Sequence, residues 1–361
     1  MKRLLVMAAG TGGHIFPGLA IAETMKSHGW QVSWLGTAHG MEREIVPRHG
    51  IEMDSIDFKG LRGKGVRHTV TGAFKLAASF ATCLRILARR RPDVVLGMGG
   101  YVTVPGGLMA RLRGIPVVLV NADAALLLSN KALTPIASRI LFGFPADFGR
   151  AASKAVVTGN PVRKEIMDLP LPAARYAQRT GPLRLLIVGG SLGAKVLNDC
   201  IPSALARMPA GERPLVVHQS GKLHIEALRK AYADAQVQAE VVDFIEDMPR
   251  RYAHADLVIC RAGAITVSEL TAAGIASVLI PFIASTTSHQ RDNARWMAEQ
   301  NAAIHMEQSE LTPESVAGLL QSMTRETCLK MAQAAHASGR HGANEAIADI
   351  LEKYTEPANK A

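Results

Sequence analysis

Short apolar runs recur along the chain, separated by stretches whose apolar residues fall at helical spacing. In the first half the runs cover residues 3–9, 31–37, 51–57, 93–99, 116–122 and 139–144. In the second they cover 184–191, 214–221, 239–245, 256–263, 276–282 and 302–308. They are continuous rather than alternating, as expected of strands buried on both faces of a parallel sheet. Strand and helix in such regular succession predict an α/β architecture. A Pro- and Arg-containing connector over 168–182 separates the halves. Helical patterns run from Thr312 onward, and the last, 343–354, is placed to cross back to the first half. The expected domains are residues 1–160, joined by a C-terminal helix at about 341–357, and residues 161–340.

The two halves also resemble each other. The segment Arg3-Leu-Leu-Val-Met-Ala-Ala-Gly-Thr-Gly parallels Arg184-Leu-Leu-Ile-Val-Gly-Gly-Ser-Leu-Gly. Asp93-Val-Val-Leu, with Gly100 and Thr103-Val104 beyond it, parallels Asp256-Leu-Val-Ile, with Gly263 and Thr266-Val267. Each half opens with a strand, a glycine loop and a helix. This predicts two doubly wound, Rossmann-like domains facing each other, with ligands at the carboxyl ends of the strands in the cleft.

Composition supports that picture. A chain of 361 residues with 48% hydrophobic and 20% charged residues is globular rather than disordered, and its length suits two domains. Only 5% is aromatic, against 32 Gly and 18 Pro, which favours α/β over a sandwich or coiled coil. Cys83, Cys200, Cys260 and Cys328 share no metal or CxxC spacing, so a reduced, cytosolic setting is expected. Lys2-Arg3 followed by LLVMAAG imitates a secretory signal, but the run breaks at Gly10-Thr11-Gly12-Gly13. No run approaches the roughly 20 apolar residues of a membrane span.

The net charge of +10 is concentrated. Residues 58–92 contain no acid and nine positive charges: Lys59, Arg62, Lys64, Arg67, Lys75, Arg85, Arg89, Arg90 and Arg91. Between them Phe80, Leu84 and Leu87 fall on one helical face. The segment reads equally as a helix docking on an anionic bilayer and as a packing helix with a solvated, charged end. Nucleic-acid binding fits less well, because few aromatics stand between the charges.

The glycine loops carry the chemistry. In Gly10-Thr11-Gly12-Gly13-His14, Ile15 holds the third glycine position of a dinucleotide fingerprint, and the next strand ends Leu35-Gly36-Thr37 without an acid. The NAD reading fails on both counts, and no Walker sequence is present. What remains is a helix N-terminus suited to an anion. Gly189-Gly190-Ser191-Leu192-Gly193 repeats it with a hydroxyl. A third loop runs over 97–106. Gly159-Asn160-Pro161-Val162-Arg163 brings a guanidinium near the domain junction, and 263–270 puts the carboxylate of Glu269 one turn into a helix, where it could bridge ribose hydroxyls or offset the helix dipole. His289-Gln290 lies in a polar segment able to reach a sugar.

Together these motifs resemble the MurG family, bacterial transferases that add N-acetylglucosamine to lipid I and so make lipid II for peptidoglycan. The resemblance spans almost the whole chain: 10–18, 60–65, 97–106, 159–163, 189–194, 263–270 and His289-Gln290 with Asn293-Ala294. It implies a GT-B fold, with the lipid acceptor on the first domain and UDP-N-acetylglucosamine mainly on the second. It also implies a peripheral location on the cytoplasmic face of the inner membrane, docked through 58–92. The implied partners are the donor, lipid I, the anionic membrane surface and other cell-wall synthesis proteins; nucleic acid is not among them. No cofactor is required and no metal ligands are implied, a divalent cation being at most stimulatory.

By the same resemblance Ser191 contacts the diphosphate and Arg163 the donor site. The backbone of Ile245 clamps uracil. Ala264, Ile265, Thr266, Val267, Ser268 and Glu269 hold uridine and phosphate, with Glu269 on the ribose. Gln290 reads the sugar hydroxyls, and Thr11, Gly12 and Gly13 line the opposite side. The chain departs from the family at Val120-Asn121-Ala122-Asp123, where Asp123 replaces an asparagine contacting the sugar, and at Leu192, often Gln. An ionised Asp accepts hydrogen bonds but does not donate them. The implied reaction is an inverting displacement. His14 is the leading base, with a role in binding the acceptor's diphosphate as its rival, and Asp123 is the second candidate base. Another GT-B UDP-sugar enzyme, a lipid glycosyltransferase or UDP-sugar epimerase, is the alternative, and a non-enzymatic basic binding protein leaves the ligand loops unexplained.

Overall fold

Two all-parallel sheets account for the apolar runs in the computed structural model, which describes residues 1–57, 66–123, 126–145, 148–190, 193–282 and 289–355, and their side chains outside 66–76 and 150. The chain divides into two units, Met1–Arg163 with the residues from Gly342 onward, and Lys164–His341.

In the first unit the order is β1 (Arg3–Ala8), α1 (Gly12–Ser27), β2 (Gln31–Thr37), α2 (Glu42–Arg48), β3 (Glu52–Ile56), α3 (Val66–Arg90), β4 (Val94–Gly99), α4 (Thr103–Leu112), β5 (Val117–Asn121), α5 (Leu128–Leu133), β6 (Arg139–Phe142) and β7 (Ala155–Val157). The second unit contains α6 (Lys164–Met167), α7 (Pro172–Tyr176), β8 (Arg184–Val188), α8 (Lys195–Ala206), β9 (Leu215–Gln219), α9 (Ile225–Asp234), β10 (Glu240–Val242), α10 (Met248–His254), β11 (Leu257–Cys260), α11 (Ala264–Ala273), β12 (Ser277–Leu279), α12 (His289–Glu299), β13 (Ile304–His305), α13 (Pro313–Ser322) and α14 (Arg325–Ser338). The last helix, α15 (Ala343–Glu352), returns to the first unit. The sheet orders are β3-β2-β1-β4-β5-β6-β7 and β10-β9-β8-β11-β12-β13. The hydrophobic pattern does not predict β7, a short strand whose residues are only half-buried, and it overextends β10, β12 and β13, the last of which keeps only Ile304–His305.

The continuous runs follow from two-sided burial. In β1, Leu4 and Val6 pack with Ile15 and Leu19 of α1 and with Ile347, Ala348 and Leu351 of α15. Leu5 and Met7 face the other way, toward Cys83, Ile86 and Leu87 of α3 and Met109 and Ala110 of α4. Helix α15 is fastened by Asn344, whose side chain donates to the Val162 carbonyl at 2.9 Å and accepts from its N–H at 3.1 Å. That clamp holds 161–163 in the first unit. The boundary therefore falls after Arg163 rather than after residue 160, and Arg163 stands over the ring of Phe16 at 4.7 Å.

Helix α3 corrects the expected apolar face. Leu87 is buried and Phe80 half-buried against the core, while Leu84, 36% exposed, is the most exposed of the three. Arg89 and Arg90 both bind the nearly buried Asp54, and Arg90 also binds Glu52. Part of the basic stretch is thus neutralised within the fold. Phe58, Lys59, Arg62 and Lys64, and the loop at 60–65, lie outside the described residues.

The sequence repeat has a structural cause. Asp93 accepts from the Arg3 N–H at 2.7 Å, and Asp256 accepts from the Arg184 N–H at 2.9 Å. Each carboxylate ties the start of one central strand to its neighbour. Asp256 is fully buried, pairs with Arg179, and adjoins the Tyr176 hydroxyl, which donates to its carbonyl at 2.7 Å. In the second core, Leu185 and Ile187 pack with Leu197 and Ile201 of α8, and with Leu228 and Tyr232 of α9. Beneath α9, the imidazole of His218 is fully buried, with Nδ1 2.9 Å from the Tyr232 hydroxyl, and burial pulls its pKa down to about 3.

Two stability changes should follow. Asp256→Asn leaves the Arg179 guanidinium buried without its counter-charge, and urea unfolding should show a loss of about 3–5 kcal/mol. His218 takes up a proton near pH 6.5 when unfolded and only near 3 when folded. Its contribution is complete above pH 6.5 and declines as pH falls, by about 1.4 kcal/mol per unit. Unfolding free energies of His218→Gln measured between pH 7 and 5 should accordingly show a shallower pH slope than the parent.

Candidate active site

Loop one leaves β1 at Ala9 and enters α1 through Thr11, its N-cap. The indole of Trp34 donates to the Ala8 carbonyl at 2.9 Å and fixes the strand end beneath it. His14 sits in the first turn of α1, half-buried, with Nδ1 3.2 Å from the Ala9 carbonyl. A carbonyl only accepts, so Nδ1 carries the hydrogen and Nε2 keeps its lone pair. The ring lies against Gly99 at the end of β4. A Cβ there would stand 2.7 Å from Nε2, and φ is +115°, so both space and backbone require glycine. Burial lowers the His14 pKa from the ordinary 6.5; the Ala9 carbonyl and the charges of Asp123 and Glu42 oppose that shift without reversing it. The resting imidazole is neutral at physiological pH.

The loop after β5 is built on a buried amide network. Asn121 donates to the Asp123 carbonyl at 2.6 Å and accepts from the Leu127 N–H at 2.9 Å and from Asn130 at 3.1 Å. Asn160 donates to the Ala122 carbonyl at 3.0 Å. Asn121 and Asn160 therefore serve the loop that carries Asp123. The structure brings Thr11, Gly12, Gly13, His14 and Asp123 to the carboxyl ends of β1, β4 and β5. Arg163 reaches the same helix start through Phe16, against which Gly12 also packs.

In the second unit Ser191 and Leu192 lie outside the described residues. Their flanks form a tight turn, with the Gly193 N–H donating to the Gly190 carbonyl at 3.0 Å. Gly193 has φ +78° and approaches Ser220 so closely that a Cβ would lie 2.2 Å from its carbonyl oxygen. Gln219 donates to the Gly190 carbonyl at 3.2 Å and Asn198 to the Ser220 carbonyl at 3.0 Å. Glu269 is buried in the second turn of α11, where it accepts from the Tyr252 hydroxyl at 3.4 Å. It is too far along the helix for simple dipole compensation. Ala264, Thr266 and Ser268 precede it, and the Ser268 hydroxyl is turned back onto the Ala264 carbonyl at 2.9 Å. Ile265 is half-buried, Val267 is fully buried, and Ile245 is buried in the loop after β10. Gln290, in the first turn of α12, accepts from the Phe282 N–H at 2.9 Å, and Asn293 joins α12 to the Ala262 carbonyl at 3.0 Å.

Sequence reasoning missed the polar residues beneath the loops: Glu42, Gln219 and Asn198. Gln219 carried a signal, a polar end to an otherwise apolar strand. Glu42 is an acid just past a glycine turn, five residues beyond the strand end where a dinucleotide site would have placed one. A cavity of about 1140 Å³ in the second unit opens at the amino ends of β8, β9 and β10, lined by Arg184, Leu215 and Glu240. It lies at the opposite end of these strands from the glycine loops and is not a nucleotide site of this fold type. Among the described residues, no three His, Cys, Asp or Glu side chains gather as a metal site, and no helix is long and apolar enough to cross a membrane.

Comparison with known proteins agrees in detail with this architecture. Residues 4–142 match the glycosyltransferase family 28 N-terminal domain, and residues 184–352 match its C-terminal domain. A relative from Janthinobacterium sp. (strain Marseille), named UDP-N-acetylglucosamine--N-acetylmuramyl-(pentapeptide) pyrophosphoryl-undecaprenol N-acetylglucosamine transferase, is 74% identical over 99% of both chains. A relative of the same name from Herminiimonas arsenicoxydans is 72% identical over the same share. The crystal structure of Acinetobacter baumannii MurG superposes with a TM-score of 0.77 at 37% identity, covering 98% of this chain and 100% of that one. Both domain matches fall in the expected order, and the likeness runs from end to end: the chain belongs to the MurG branch of glycosyltransferase family 28.

Proposed function

We propose that this chain transfers N-acetylglucosamine from UDP-N-acetylglucosamine to the 4-hydroxyl of the N-acetylmuramyl residue of lipid I, forming lipid II. The relatives' name supplies the reaction. The observation that carries it here is the His14 imidazole, neutral, fixed at Nδ1 and with a lone pair on Nε2. The acceptor oxygen attacks C1 of the sugar and its proton passes to Nε2. The bond from C1 to the phosphate oxygen breaks, its electron pair leaves with UDP, and the configuration at C1 inverts.

In this reading the turn at Gly190 with Ser191, and the N-terminus of α8, meet the diphosphate charge, with Arg163 adding a cation. Residues 264–269 hold uridine and phosphate, Glu269 takes the ribose hydroxyls, the Ile245 backbone meets uracil, and Gln290 reads the sugar. Thr11, Gly12 and Gly13 serve the acceptor, and Asp123 accepts a sugar hydroxyl. The chemistry calls for no cofactor, since fixed dipoles and cations supply the charge stabilisation. Docking at the cytoplasmic face of the inner membrane is proposed through the first unit. It is supported by Leu84 on α3 and Leu112 on α4, 36% and 74% exposed, beside Arg85, Arg111 and Arg113.

The test is a transfer assay with purified protein, a lipid I analogue and a panel of UDP-sugars; no transfer from UDP-N-acetylglucosamine removes the reading. His14→Ala should lower kcat by about 10²–10⁴-fold. An unchanged kcat with a raised acceptor KM would assign His14 to diphosphate binding, and a comparable kcat loss confined to Asp123→Asn would move the base to Asp123. Because burial holds the imidazole below 6.5, the acid limb of kcat/KM should also lie below pH 6.5.

A further inference from the structure

Glu42, the first residue of α2, is fully buried. A carboxylate taken out of water is costly unless donors surround it. Here Oε1 accepts from the Thr37 N–H at 2.9 Å and the Thr37 hydroxyl at 2.7 Å, and Oε2 accepts from the Gly10 N–H at 3.3 Å. Room for the side chain depends on two glycines. A Cβ on Gly36 would lie 2.8 Å from the Glu42 Cγ, and one on Gly40 would lie 2.0 Å from Oε2.

The Gly10 N–H and the Ala9 carbonyl belong to one peptide group. Its hydrogen is given to Glu42, and its oxygen receives the His14 Nδ1–H at 3.2 Å. A peptide that donates to an anion becomes a better acceptor at its carbonyl. The arrangement is a base oriented by a third group, as in catalytic triads, with a peptide inserted between carboxylate and imidazole.

We propose that Glu42 is the carboxylate partner of His14, coupled to it through the Ala9–Gly10 peptide, and that it acts as a positioning residue for the transfer reaction. The inference rests on the transfer reading above and adds to it the device that keeps the base aimed. Glu42 fixes the peptide plane and hence the ring, and its charge favours the imidazolium that forms as the acceptor loses its proton. The other groups facing the ring are the Ala9 carbonyl, the Asp123 carboxylate and the uncharged backbone of Gly99.

Glu42→Gln tests this. The amide can still accept from Thr37, but it turns a donor toward Gly10 and removes the charge. We expect kcat to fall roughly 10–100-fold, as for other groups that orient a reactive ligand through hydrogen bonds. The His14 titration, followed by NMR without substrate and identified against His14→Gln, should move to lower pH, and the acid limb of kcat/KM with it. Thr37→Val, which keeps both the charge and the Gly10 contact, should leave the titration in place. A folded Glu42→Gln protein with an unmoved His14 titration overturns the proposal. If Glu42→Gln does not fold, Glu42→Asp, one methylene short of Gly10, should lower kcat, and parental kcat there overturns it equally. Parent protein that transfers no sugar would remove the transfer reading, whereas the substrate-free titration judges Glu42 by itself.

Discussion

Each sheet depends on a carboxylate at the amino end of a central strand. A parallel sheet has no hairpins to set its register, so contacts at the strand ends add to the hydrophobic pattern in fixing how neighbouring strands align. Asp93 reaches across to the backbone of Arg3, and Asp256 to that of Arg184. With β1 and β4 aligned at one end, a one-residue register shift after Met7 sets Gly99 rather than Met98 beside Ala8 at the far end, and Gly99 arrives against the ring of His14. In the second unit the same lock aligns β8 with β11 and brings out the turn at Gly190 and the start of α11 at the same end of the sheet. The position of the chemistry is thus decided a full strand length away from it.

Much of this was legible in the sequence because two-sided burial leaves an unmistakable trace. The apolar runs predicted twelve of the thirteen strands, the internal likeness predicted two similar units, and the glycine loops marked the strand ends. What stayed hidden depends on tertiary contact. Nothing near Asn160 announces that Asn344 will hold Val162, so the boundary was drawn before Arg163 rather than after it. The spacing of Phe80, Leu84 and Leu87 fits a helical face, but which face meets the sheet is decided by Ser79, Cys83 and Ile86 as well. Glu42 was invisible because its importance lies in a return path. The chain passes beyond β2, turns at Gly40, and brings an acid back beneath a loop about thirty residues earlier in the sequence.

The basic window shows how charge counted along a chain differs from charge available at a surface. Arg89 and Arg90 are bound to Asp54 and Glu52, acids that lie just before the window in sequence and beneath the helix in space. Composition summed the cations, and the fold withdrew two of them. The amides tell a similar story: Asn121 and Asn160 stand in motifs beside the candidate ligand loops, yet they and Asn130 donate to backbone carbonyls that must be held still for neighbouring side chains to work.

The return of α15 has a consequence for biogenesis. Ile347, Ala348 and Leu351 cover the face of the first sheet formed by Leu4, Val6, Leu96 and Val118, yet they are synthesised after the whole second unit. While the chain leaves the ribosome, that sheet face has only α1 and α2 to cover it, and the second unit can finish folding first. The amino-terminal half thus emerges earliest and matures last, which makes it the part of the nascent chain that calls for a chaperone's protection.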